Sequence, residues 1–183
     1  MLFHLGHEMK RASHKTHKLL DEVNHLADHI NTVLNRNMKT RYFESIALLY
    51  GFIEDLLKWL VFIQIICNKC EKSVIPDGEF DQIKQYCNQL SFYQLLNAGL
   101  SVDLLSYSLF RRLDQVRVER NQLVHQYWLY AHKGNSRILR KRLEKLARVA
   151  NALVDKLNHL VEETDMDESY GLLDIKVGKN LLP

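Results

Sequence analysis

The chain has 183 residues, 46% of them hydrophobic and 26% charged, with a formal net charge of +3. That length fits one domain with a sizeable core, and the composition is that of an ordinary soluble globular protein. Pro183 ends the chain and Pro76 is its only other proline. So few helix breakers, among many Leu, Lys, Glu, Gln and Arg, argue for an all-α fold, an up-and-down bundle of about five helices. Three cysteines is an odd count, and MLFHLGHEMKRAS at the start is apolar over too few residues for a signal peptide. The expected location is therefore the reducing cytoplasm.

In chain order, the first predicted helix spans about 10–35, with Leu19, Val23, Leu26, Ile30 and Val33 as its apolar stripe. The second, about 40–72, contains SIALLYGFIEDLLKWLVFIQIIC at 45–67. It is apolar enough to raise a membrane span, but Glu54, Asp55 and Lys58 fall near its middle, where charge is costly in lipid. The segment is expected to be the central, mostly buried helix of the bundle. SVIPDGE then supplies a turn. The third helix is expected over about 80–97, stopped at Gly99, with Ser101 capping the next. The fourth covers about 102–132, and Gly134 and Asn135-Ser136 separate it from the fifth, 137–163. The fifth carries a seam of Leu139, Leu143, Leu146, Ala150, Leu153, Leu157 and Leu160, whose four-three spacing belongs to helices packed at a shallow angle. A single domain over 1–165 is expected, with a flexible tail over 166–183.

Charge is distributed unevenly. Between Arg111 and Arg148 stand eleven Lys and Arg against Asp114, Glu119 and Glu144, a local net of +8. From Asp155 onward, seven acidic residues face three Lys, a net of −4. A basic field of that size suits a polyanionic partner, although a plain solvated helix face produces the same count.

Within the fourth helix, Leu109, Leu113, Val116, Arg120, Leu123, Tyr127 and Tyr130 fall on one stripe, so an arginine occupies a position its neighbours fill with apolar groups. A guanidinium placed there needs partners to offset its desolvation. Glu54 or Asp55 would serve, and His125 would then be a satisfied core histidine. His125 lies about 140° round the helix from Arg120, and because it follows Asn121 by four residues the two share a neighbouring face.

The full string RNQLVHQYW, at 120–128, resembles the signature of the HEPN (higher eukaryote and prokaryote nucleotide-binding) superfamily. That signature is an Arg, a polar residue often Asn, a few variable positions and a His, on a late helix of a small bundle. The stretch looks most like the HEPN toxins encoded beside minimal nucleotidyltransferase antitoxins, in which a Tyr follows two residues after the His. The resemblance implies an RNase that needs no metal or cofactor, the ribose 2′-hydroxyl attacking the adjacent phosphate. On that basis His125 is the general acid/base and Arg120 the group that binds phosphate and stabilises the added charge. Asn121 orients, and Tyr127 supports the site or receives nucleotides from the antitoxin. It further implies a homodimer, because one chain supplies one His where acid and base are both wanted. Trp128 or Tyr130 is available to stack on a base, and Arg137, Lys141, Lys145 and Arg148 to follow the RNA backbone. A non-catalytic HEPN module that binds RNA, a nucleotide or a protein is the alternative.

Other signals are weaker. Glu22-Val-Asn-His25 is half of a di-iron motif with no second copy, and His14, His17 and Asp21 share a face without further ligands. Cys67-Asn-Lys-Cys70 has only Cys87 as a further thiol, short of the four ligands of a closed zinc site. A Gly-rich phosphate loop, a nucleophile elbow and a Ser/His/Asp set are all missing.

Overall fold

The structure, a computed structural model, describes residues 41–70, 76, 78–125 and 136–163, together with positions 25, 28, 29, 31 and 32. From residue 41 onward, the described residues form five helices: α1 (Tyr42–Cys70), α2 (Glu79–Gln89), α3 (Phe92–Ser101), α4 (Tyr107–His125) and α5 (Ser136–Glu163). Among the described residues there is no strand. The few described positions before α1 are also helical, but the predicted first helix and its stripe otherwise lie outside the described residues, as does the predicted tail.

As expected for the apolar segment, α1 is the organising helix. Ile46, Leu49, Ile53, Leu56, Leu57, Leu60 and Val61 are fully buried, and the helix packs chiefly against α5 and also against α2 and α3. Every residue of the α5 seam is buried too, from Leu139 to Leu160. Glu54 and Lys58 remain half-buried, and Asp55 is exposed at the rim of the packed face. No helix of the described residues is long and apolar enough to cross a membrane.

The chain turns after α1 through Pro76, whose carbonyl accepts the Glu79 N–H at 3.1 Å, and Gly78, whose φ of 91° is left-handed and easy for glycine. A Lys69–Glu79 ion pair closes this turn. Trp59, Phe62 and Phe80 then meet edge to face, with ring centroids 5.7 and 4.9 Å apart, and join the start of α2 to α1.

Two predicted boundaries need correction. The expected helix over 80–97 is two helices, broken at Leu90 and Ser91. Ser91 caps α3 in a reciprocal capping box: its hydroxyl accepts the Gln94 N–H, and the Gln94 side chain accepts the Ser91 N–H at 2.9 Å. Gly99 accordingly does not end a helix. It is buried inside α3, where an added Cβ would lie 2.9 Å from the Leu105 side chain, so the glycine makes room for the chain returning beneath it. The next helix also starts later than expected. Asp103 turns the chain with φ of 58°, and Ser106, rather than Ser101, caps α4 by accepting the Leu109 N–H at 3.3 Å.

Candidate functional site

Helix α4 positions the signature residues. Leu109, Leu113, Val116 and Leu123 are buried, and Arg120 sits on the same stripe with its side chain 38% exposed. Its closest helix neighbours are α3 and, more lightly, α5. Toward α1 there is instead a groove of about 510 Å³, lined by Phe43, Ala47 and Tyr50 of α1 and by Arg120, Leu123 and Val124 of α4.

Arg120 bridges α4 to α1: its guanidinium donates to the Glu54 carboxylate. The other Glu54 oxygen lies 3.5 Å from Lys58 Nζ. Lys58 also donates to Asp55 at 3.2 Å. Of the two carboxylates available to Arg120, Glu54 takes the role because it faces inward, 18% exposed, while Asp55 is 67% exposed. Two cations against one enclosed carboxylate leave this cluster satisfied without stripping Arg120 of its remaining donors, since a guanidinium carries five N–H groups. Arg120 therefore presents a held, charged fork beside an otherwise apolar groove.

Asn121 and His125 lie on the other side of the helix, one turn apart, and both are exposed. His125 is thus not a satisfied core histidine. The unbroken α-helix from Tyr107 to His125 keeps about 140° between Arg120 and His125, so one protomer does not bring them onto one face. Tyr127, Trp128 and Tyr130 lie outside the described residues.

The proposed backbone-binding residues divide into two groups. Lys145 is half-buried and donates to Glu119 of α4 at 2.5 Å, which ties α5 to α4. Arg137, Lys141 and Arg148 are exposed along α5. Among the described residues no group of three or more His, Cys, Asp or Glu gathers in a way that would hold a metal. Cys67 is half-buried and Cys87 buried; burial pushes the Cys87 thiol above its ordinary value.

The groove wall had no legible signature. Phe43, Ala47 and Tyr50 read as one more turn of an apolar helix, and only the placement of α4 shows that Ala47, Leu48 and Gly51 stay uncovered. Compared with protein-family models, with curated proteins and with solved structures, the chain matches none.

Proposed function

We propose that this protein is a metal-independent endoribonuclease of the HEPN type, the toxin of a toxin–antitoxin or phage-defence pair, working in the cytoplasm as a homodimer. The observation that carries the reading is the string Arg120-Asn121-x-x-x-His125-x-Tyr127, whose Arg120, Asn121 and His125 lie on one helix of an all-α protein. A held Arg120 and an exposed His125 support it, because the chemistry needs one fixed cation and one proton carrier open to substrate.

In this mechanism a histidine takes the proton of a ribose 2′-hydroxyl as the oxygen bonds to the adjacent phosphorus. The P–O5′ bond breaks, and the departing oxygen receives a proton from the second histidine. His125 fills one role and the partner subunit's His125 the other. Arg120 neutralises charge on the phosphate oxygens, and Asn121 orients the imidazole or a phosphate oxygen. Tyr127 supports the site or accepts nucleotides from a nucleotidyltransferase antitoxin. Trp128 stacks on a base, and Arg137, Lys141, Lys145 and Arg148 hold the backbone.

The test is incubation of a mixed RNA pool with the protein in EDTA, beside Arg120→Ala and His125→Ala. The expected products carry 2′,3′-cyclic phosphate and 5′-hydroxyl ends and are missing with both folded variants. The second reading, a non-catalytic HEPN module that binds RNA, nucleotide or protein, is favoured by one observation: Glu54 already occupies part of the Arg120 fork. Intact RNA after incubation with a dimeric, unmodified wild type would select it.

A further inference from the structure

The side of α4 that carries His125 repeats the four-three spacing of its buried seam, but in water. Tyr107, Arg111, Asp114, Val118, Asn121 and His125 follow one another at steps of four and three residues. All are exposed except Asp114, which is half-buried. Tyr107 is 67% exposed at one end of this stripe, and His125 stands at the other. At about 1.5 Å per residue they are roughly 27 Å apart along the helix.

The aromatic groups on and beside this stripe are held from behind. The Tyr107 ring stacks on Phe110, with centroids 6.3 Å apart and planes within 7°. Tyr93 of α3, also half in solvent, lies under the Arg117 guanidinium, 5.2 Å from the ring centroid. Arg117 is itself pinned by Asp114 at 2.7 Å. A ring already fixed on one side loses little freedom when a planar group stacks on it. Beside the Tyr107 ring, Arg111 is exposed on the same stripe, with no ion-pair partner among the described residues.

We propose that this outer face of α4, from Tyr107 and the neighbouring Tyr93 through Arg111 to His125, is a track for single-stranded RNA. The tyrosines stack bases and Arg111 takes a phosphate. The choice of occupant rests on the ribonuclease reading above. It is supported by what the face is made of: exposed aromatic rings beside an unpaired arginine match unpaired bases on a phosphate backbone. A duplex hides its base faces and leaves the tyrosines nothing to stack on. A second copy of this chain is the poorer fit, because the stripe is mostly polar or charged, whereas interface centres are depleted of charge.

The experiment uses the full chain with His125→Ala, so that RNA survives, and follows fluorescence anisotropy of short labelled single-stranded RNA and of the matching duplex. Wild-type cleavage is measured in parallel. Tyr107→Ala and Tyr93→Ala are expected to weaken single-strand binding by about five- to a hundredfold each, with little change for the duplex. Arg111→Gln, an exposed change that spares the fold, should lower the slope of log affinity against log salt by about 0.7. Unchanged affinity and slope in all three variants, each with wild-type circular dichroism, overturns the track, and the ribonuclease reading then stands or falls on cleavage alone. Loss of dimer rather than of RNA affinity in Tyr107→Ala also overturns it and assigns the face to a second copy. Tyrosine-dependent single-strand binding by a wild type that never cuts RNA keeps the track and removes the ribonuclease.

Discussion

Arg120 of α4, which lines the groove, donates to Glu54 of α1, 66 residues away in the chain, and this ion pair joins two helices whose closest helix packing lies elsewhere. The pair does two things. It offsets the cost of an arginine on a buried stripe, and it fixes the direction of the guanidinium beside the groove. Because Arg120 is more than a third exposed, solvent screens the pair. A double-mutant cycle on Glu54→Ala and Arg120→Ala, read by chemical denaturation, should give a coupling on the order of 1 kcal/mol. Strict additivity would show that the contact contributes nothing to folding.

Cleavage should separate from stability at the signature residues. His125 is exposed, so His125→Ala should leave unfolding within roughly 0.5 kcal/mol of wild type. On the proposed mechanism the same change slows RNA cleavage by about 10²- to 10⁴-fold. Arg120→Ala should cost a similar factor, about 10²- to 10³-fold. A folded His125→Ala protein that cuts RNA at the wild-type rate would end the ribonuclease assignment.

The α1–α5 interface should dominate stability. Leu57 and Leu146 are both fully buried. Each change to Ala should cost about 2–5 kcal/mol, through lost burial and the cavity left behind. Denaturation midpoints measure this directly, and a loss below 1 kcal/mol would mean the interface relaxes to fill the gap.

Ser91 offers a smaller, local test. It is exposed, so Ser91→Ala removes little packing, yet it removes the hydroxyl that accepts the Gln94 N–H while leaving the backbone N–H at 91 free to donate to the Gln94 side chain. A loss of about 0.5–2 kcal/mol is expected. Amide exchange should quicken first at Gln94, whose N–H the hydroxyl accepts.

The Cys87 thiol predicts an alkaline weakness. Its folded pKa lies above the ordinary 9.0, because burial disfavours the thiolate. Above pH 9 the unfolded chain therefore releases the thiol proton first, and fewer protons bound in the unfolded state means stability falls as pH rises. Below that pH the contribution is fully present. Cys87→Ala should flatten the decline measured by denaturation from pH 8 toward 10, and an unchanged slope would show that the thiol does not drive it.

Much of this molecule was written in local pattern. The seam from Leu139 to Leu160, the buried run through α1 and the stripe containing Arg120 all follow from helical periodicity, because burial selects side chains at fixed angular intervals. The SFYQ capping box is as local a signal, yet the apolar rhythm on either side runs through it and hides the break between α2 and α3. What periodicity cannot supply is the neighbour of each face. Glu54 and Asp55 are adjacent and chemically alike, and only the approach of α4 decides that Glu54 receives Arg120 while Asp55 stays in solvent. In the same way, the sequence by itself determined that α4 has one apolar side and one polar side. The tertiary structure alone decided that Ala47 and Val124 line a groove, that Lys145 pairs with Glu119, and that His125 remains open, because those outcomes depend on contacts between segments far apart in the chain.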